Sequence, residues 1–244
     1  MSFHDVASPT APLTPPHKPA GFVDPLHAVN AVGDVLSPTG WLVKLAELVL
    51  GEDPVEWLEA HLAGDWESFA RCAETWHNLA RATDALARNI GSGTAGSESV
   101  WEGNAADAAR TYFTVLRTHL EGIRDELHAV GEEYLVISRS VCATGQAVGE
   151  GLSLLMDALI TGALAAAVGT VSGWTGWGAA MGYALGAAEA RVALKEWERI
   201  TALVNAAQVV MNTSCAVIGR SGGEIAARLG TFPLPRTGYD HPAV

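Results

Sequence analysis

The chain has 244 residues, 49% apolar and only 17% charged, enough to bury a sizeable core in one large domain or two small ones. Its formal net charge of −12 comes from 27 acids against 15 bases with no basic run, so no face could displace a polyanion's counterions and no nucleic-acid partner is expected. Cys72, Cys142 and Cys215 lie far apart with no C-x-x-C, which argues against a disulfide framework or a zinc knuckle and reads as small buried hydrophobes.

Six of the eleven prolines fall within residues 9–25, which predicts an extended or disordered arm over residues 1–25. The N-terminus has neither the basic start nor the apolar run of a secretory signal peptide, so export would need another route. "WLVKLAELVLG" (41–51) reads as a short helix closed by Gly51. In "EDPVEWLEAHLAGDW", Asp53 is placed to cap a second helix, with Pro54 at its first position, where the missing N–H costs nothing. From Trp66 the seam steps by threes and fours: Phe69, Ala73, Trp76, Ala80, Thr83, Ala87, Ile90. That rhythm is one narrow face of a long helix. "GSGTAGSES" (91–99) is expected to end it.

After Trp101-Glu102-Gly103, Asn104 with Asp107 three residues on resembles a capping box. Apolar steps resume at Ala109, Tyr112, Leu116, Leu120, Ile123, Leu127, Val130, Tyr134, Ile137 and Val141. Two long helices joined by a short loop must be antiparallel neighbours, so residues 26–148 read as a helical hairpin with a preceding short helix. Residues 149–230 repeat the plan in a more apolar form: a helix over 149–172, a turn "GWTGWG", and a last helix with its seam at Ala193, Trp197, Ile200, Val204, Ala207, Met211, Ser214 and Ile218. Residues 231–244 read as a disordered tail. The expected fold is all-α: two helical hairpins forming a four-helix-bundle-like domain.

Trp-x-Gly stands at both expected turns, as Trp101 with Gly103 and as Trp174 with Gly176. A tight elbow commonly needs one residue at positive φ, which glycine adopts without a Cβ clash. A tryptophan two places earlier can fold back over the last seam residues and keep its indole N–H near solvent. Geometry alone therefore accounts for the second turn.

The first turn has more company. A long seam helix, Trp-x-Gly and a second seam helix together resemble the WXG family of type VII (ESX) secretion substrates. The stretch from "GWLVKLAELVLG" to "WHNLARA", with "WEGNAADAARTYF", is similar to the WXG-like N-terminal domain of large actinobacterial toxins, among them a mycobacterial outer-membrane channel protein that carries a necrotising toxin. The resemblance spans roughly residues 30–220. It implies export through a type VII machine, to the medium or cell surface from the cytoplasm, with the hairpin as the recognised unit and Trp101 and Gly103 as the turn motif. The implied partners are that machinery, a WXG-type partner protein, or a separately encoded toxin. One departure stands out: the family's Tyr-x-x-x-Asp/Glu tag is missing, because Tyr112, Tyr134, Tyr183 and Tyr239 are followed four places later by Leu116, Ser138, Ala187 and Ala243. His128 and Glu132 have the spacing with the wrong aromatic, and a separate partner could supply the tag.

Residues 158–188 carry no charged side chain, which raises a membrane-active, channel-like alternative. The interruption at "SGWTGWG" and the charges of the following helix favour a soluble bundle. Gly178, Gly182 and Gly186 share one helix face and suit close helix packing. "GRSGG" (219–223) fits the G-x-S-x-G nucleophile elbow, with Asp240 and His241 as the best remaining acid–histidine pair. That elbow needs a multi-stranded sheet, so a glycine-rich helix ending is preferred and a hydrolase at Ser221 is a remote alternative. The histidines include no H-E-x-x-H and no His pair at i, i+4, so His61, His77, His119 and His128 read as lining polar helix faces. No catalytic residue, metal or cofactor is expected. The function read from the sequence is a non-catalytic secretion-targeting module or toxin-associated effector, monomeric because its second hairpin covers the seam of its first.

Overall fold

A computed structural model describes residues 5–17, 23–27, 29–31, 40–98, 100–171 and 176–234. The chain is all-α, with no strand among the described residues. Its helices are α1 (Gly40–Leu50), α2 (Pro54–Leu62), α3 (Trp66–Glu98), α4 (Asn104–Val171) and α5 (Gly176–Gly230). They sort into two compact units built from separated segments. Unit 1 comprises Met1–Lys18, Phe69–Leu135 and Thr213–Val244; unit 2 comprises Pro19–Ser68 and Val136–Asn212.

The short helices begin and end where local chemistry requires. Gly51 follows α1 at φ +87° and donates its N–H to the carbonyl of Glu47. A left-handed residue past the last turn is the usual way to stop a helix, and glycine takes that conformation without strain. At α2 the Asp53 carboxylate accepts from the N–H groups of Val55 and Glu56, two donors that a helix start leaves unpaired. The indole of Trp66 folds over Gly64 and donates to the carbonyl of Leu62, so this residue closes α2 as well as opening α3.

In unit 1, α3 and α4 lie antiparallel. Phe69 meets Tyr134, His77 meets His128, Asp84 binds Arg124 and Gly91 faces Arg117, so partners descend α4 as they ascend α3. The stripe Ala70, Ala73, Ala80 and Ala87 is buried along this contact. Ile123 and Leu127 join Ala80 in a small core, against which Trp76, Ile225 of α5 and Phe232 pack. In unit 2 it is α4 and α5 that lie antiparallel. Gly151 lies against Ile200, and Gly162 against Gly186 and Glu189. Here the core is large and aliphatic, with Leu58, Leu62, Leu152, Leu155, Ile200 and Val204 fully buried.

Four expectations need correction. The glycine–serine stretch after Ile90 does not end α3, which continues to Glu98. Thr94 donates back to the Ile90 carbonyl and Gly91 admits the Arg117 side chain, so local bonds and packing override the weak propensity of these residues. No break separates the first hairpin from the second: α4 is one helix of 68 residues, and its glycines at 149 and 151 are internal. Gly151 is where Ile200 presses in, to 3.0 Å from where a Cβ would stand, so the residue serves packing and not chain reversal. The proline-rich arm is extended but docked over residues 5–17, and the first tail residues are held too, with Phe232 in the unit 1 core and the Tyr112 hydroxyl donating to the Pro233 carbonyl. Lastly, Cys72 and Cys215 are exposed, because both fall off the seam; Cys142 alone is half-buried, and burial beside Asp24 pushes its thiol pKa up.

The arm binds through polar side chains that interrupt the apolar faces of α3. Asn89 Oδ1 accepts from the N–H groups of Val6 and Ala7 at 3.0 Å, while its Nδ2 donates to the Ala7 carbonyl at 2.8 Å. Asn78 donates to the Thr14 carbonyl, and the Glu74 carboxylate accepts the His17 N–H, which holds its pKa below the usual carboxylate range. Asn78, Ala82, Ala85 and Asn89 form a second buried stripe, with arm backbone bound at both ends of it. A buried asparagine offers donor and acceptor together, so it matches an extended backbone as a neighbouring strand would.

Candidate functional site

The feature that best fits a recognised site is the elbow between α3 and α4. Beyond Glu98 the Ser97 carbonyl accepts from the N–H groups of both Val100 and Trp101, which turns the chain out of the helix. Gly103 then takes φ +96°, and its carbonyl accepts the Asp107 N–H, the first bond of α4. Gly103 is therefore the cap residue, and Asn104 stands one position inside the helix instead of capping it. Asp107 sits in the first turn, where a carboxylate favours the positive helix end, and it also binds Arg110. No atom lies within 4 Å of where a Cβ on Gly103 would be, so the backbone angle, not space, calls for glycine.

Trp101 lies against both helices at this end and lines a cavity of about 200 Å³, whose walls include Ile90, Thr94 and Ser97 of α3 and Ala109 and Phe113 of α4. It remains 45% exposed. The elbow thus presents an accessible indole beside an apolar hollow, with the Val100 and Phe113 side chains also exposed nearby. Such a surface can take up an apolar side chain from a partner. Ile90 was read only as a seam residue and Phe113 was not singled out, because the turn was read for its tripeptide; the apolar residues about three helical turns to either side were the available signal.

The remaining sequence-derived positions scatter. Trp174 lies outside the described residues. Gly176 is the first residue of α5, and Gly178 and Gly182 follow in its opening turns, whose side-chain surroundings are outside the described residues. Gly186 stands at a close crossing in unit 2: a Cβ there would lie 3.2 Å from the Gly162 carbonyl oxygen. Gly162, its partner on α4, was not singled out from sequence. Ser221 is not on a strand-to-helix elbow but inside α5, fully buried, at the next step of the seam after Ser214 and Ile218. The expected helix ending at 219–223 is therefore displaced to Gly230; Ile225 continues the seam into the unit 1 core and holds the glycine-rich turn helical. Neither the acid nor the histidine proposed for Ser221, Asp240 and His241, is among the described residues. No protein family, curated protein or solved structure matches this chain.

Proposed function

We propose that this chain is a non-catalytic targeting module for type VII (ESX) export, or a toxin-associated protein carried by that route, with the Trp101–Gly103 elbow as the recognised mark. The observation that carries the reading is the elbow itself: two antiparallel helices closed by a positive-φ glycine, with the tryptophan two residues earlier left accessible over an apolar hollow. In this reading the chain is a monomer with a four-helix-bundle-like arrangement, in which its own later segments cover the seam. Ile225 and Phe232, packed on Ala80, Ile123 and Leu127, support that part. The test is secretion by a host with a type VII system. Trp101→Ala, verified as folded by circular dichroism, should stay in the cells while the parent reaches the medium; equal export of both proteins removes the role assigned to the turn.

A membrane-active reading has one observation in its favour. Leu164, Val168, Tyr183 and Leu185 are all exposed, on the two helices of unit 2 that also contain stretches long and apolar enough to cross a membrane. Release of a trapped dye from anionic liposomes by the purified chain would favour this second reading; tight vesicles are expected under the first.

A further inference from the structure

We propose that His77, His128 and Glu132 form a binding site for a divalent transition-metal ion of the zinc type. His128 and Glu132 are four residues apart on α4, which places them one turn apart on the same helix face. His77 reaches them from α3. One ligand atom from each of the three can be chosen so that all lie within 4.8 Å of one another. His77 Nε2 and Glu132 Oε1 are 3.3 Å apart. Ligands at roughly 2.0–2.2 Å from a tetrahedral zinc stand about 3.3–3.5 Å from each other, so this edge already has the required length. His128 is exposed, and its ring lies beside that of His77 with the centroids 4.9 Å apart.

Two further observations point to a ligand and away from a plain ion pair. His77 Nε2 is buried without a hydrogen-bond partner, because its close contact with Glu132 lacks the geometry of a hydrogen bond. A lone pair held out of water and unpaired is costly in a helix interface, and a metal ion would satisfy it. Gly131, between the other two ligands, makes the slot: a Cβ there would lie 2.5 Å from His77 Cδ2 and 2.6 Å from Nε2. Any other residue at 131 would push the imidazole out.

The surrounding charges are compatible. The site opens on a cleft of about 360 Å³ also lined by Ala80, Arg81, Asp84 and Arg124. Arg124 is tied to Asp84 at 3.0 Å and to Asp125 at 2.7 Å, and Arg81 donates to the side-chain oxygen of Asn78. Two imidazoles and one carboxylate leave a fourth position facing the cleft, open to water or to an external ligand.

The test uses the untagged full chain, with Zn²⁺ titrated calorimetrically and Co²⁺ as the spectroscopic probe. One equivalent should bind, with the visible absorption of a four-coordinate cobalt. His128→Ala and Glu132→Gln, which change exposed residues and should keep the helical circular dichroism, should weaken binding by about 100-fold or more, since losing a ligand exceeds the effect of losing its outer support. Gly131→Ala should weaken it as well without removing a ligand, whereas His17→Ala should not. No uptake by the parent chain, or equal affinity in His128→Ala and Glu132→Gln, overturns the proposal.

Discussion

The two units solve the same packing problem with different materials. All the largest fully buried side chains, from Leu58 and Ile137 to Leu155 and Ile200, belong to unit 2. Unit 1 buries mostly alanines on α3, and its close contacts are made by Asn78, Asn89, His77, Asp84 and Arg124. Burying a large aliphatic side chain contributes roughly 1.5–3 kcal/mol without regard to direction, whereas a hydrogen bond adds about 1 kcal/mol and fixes geometry. Unit 2 therefore carries the stability that comes from area. Unit 1 carries the directional features, and both candidate sites lie in it.

Mutations should separate these two kinds of support. The largest effect is expected in unit 2, where Ile200→Ala, under Gly151, should lower unfolding free energy by about 2–5 kcal/mol in a denaturant titration. A loss below about 1 kcal/mol would mean that unit 2 is not held by its aliphatic core. Next comes Asn89→Ala, which removes three bonds to the arm and leaves the Val6 and Ala7 amides without their acceptor. We expect a cost of about 1–3 kcal/mol and early protease cleavage near residue 10, with the helical signal retained. An arm as protected as in the parent would show that the asparagine clamp is not what holds it.

The smallest effect is electrostatic. Glu74 has its pKa lowered by the His17 N–H, so its contribution to arm docking is complete above the ordinary carboxylate value of 4.5 and fades as pH falls through the lowered one. The protection of the arm amides against hydrogen exchange, measured relative to the intrinsic rate at each pH, should therefore fall under acid, and Glu74→Gln should flatten that response. An acid response of the same size in Glu74→Gln would assign it to another group.

The long seams of α3, α4 and α5 were legible because apolar residues recur at threes and fours, and Gly51, Asp53 and Pro54 marked the end of α1 and the start of α2 by type alone. The arm's docking was not legible, since Asn78 and Asn89 read as polar interruptions until an extended backbone is laid across them. The continuation of α3 through its glycines was hidden for a related reason: local propensity was weak there, and what overrides it, the Arg117 side chain on Gly91, comes from 26 positions away. The histidine cluster escaped because the search was for two histidines on one helix. The arrangement instead joins His128 and Glu132 at i, i+4 with His77 from another helix, and its one local trace is Gly131 between them.

The central claim is that the elbow is recognised as well as folded, and the chain contains its own control. Gly103 and Gly51 both sit at positive φ, +96° and +87°, and neither has any atom near the place of a Cβ. Alanine at either position should cost a similar 1–2 kcal/mol, roughly the penalty of a left-handed residue with a side chain. The most direct measurement compares how much of each variant reaches the culture medium from a type VII-competent host at matched folded levels in the cells. The account predicts that Gly103→Ala is retained while Gly51→Ala is exported like the parent. Equal export of the two variants would contradict it, since the elbow would then be a turn and nothing more.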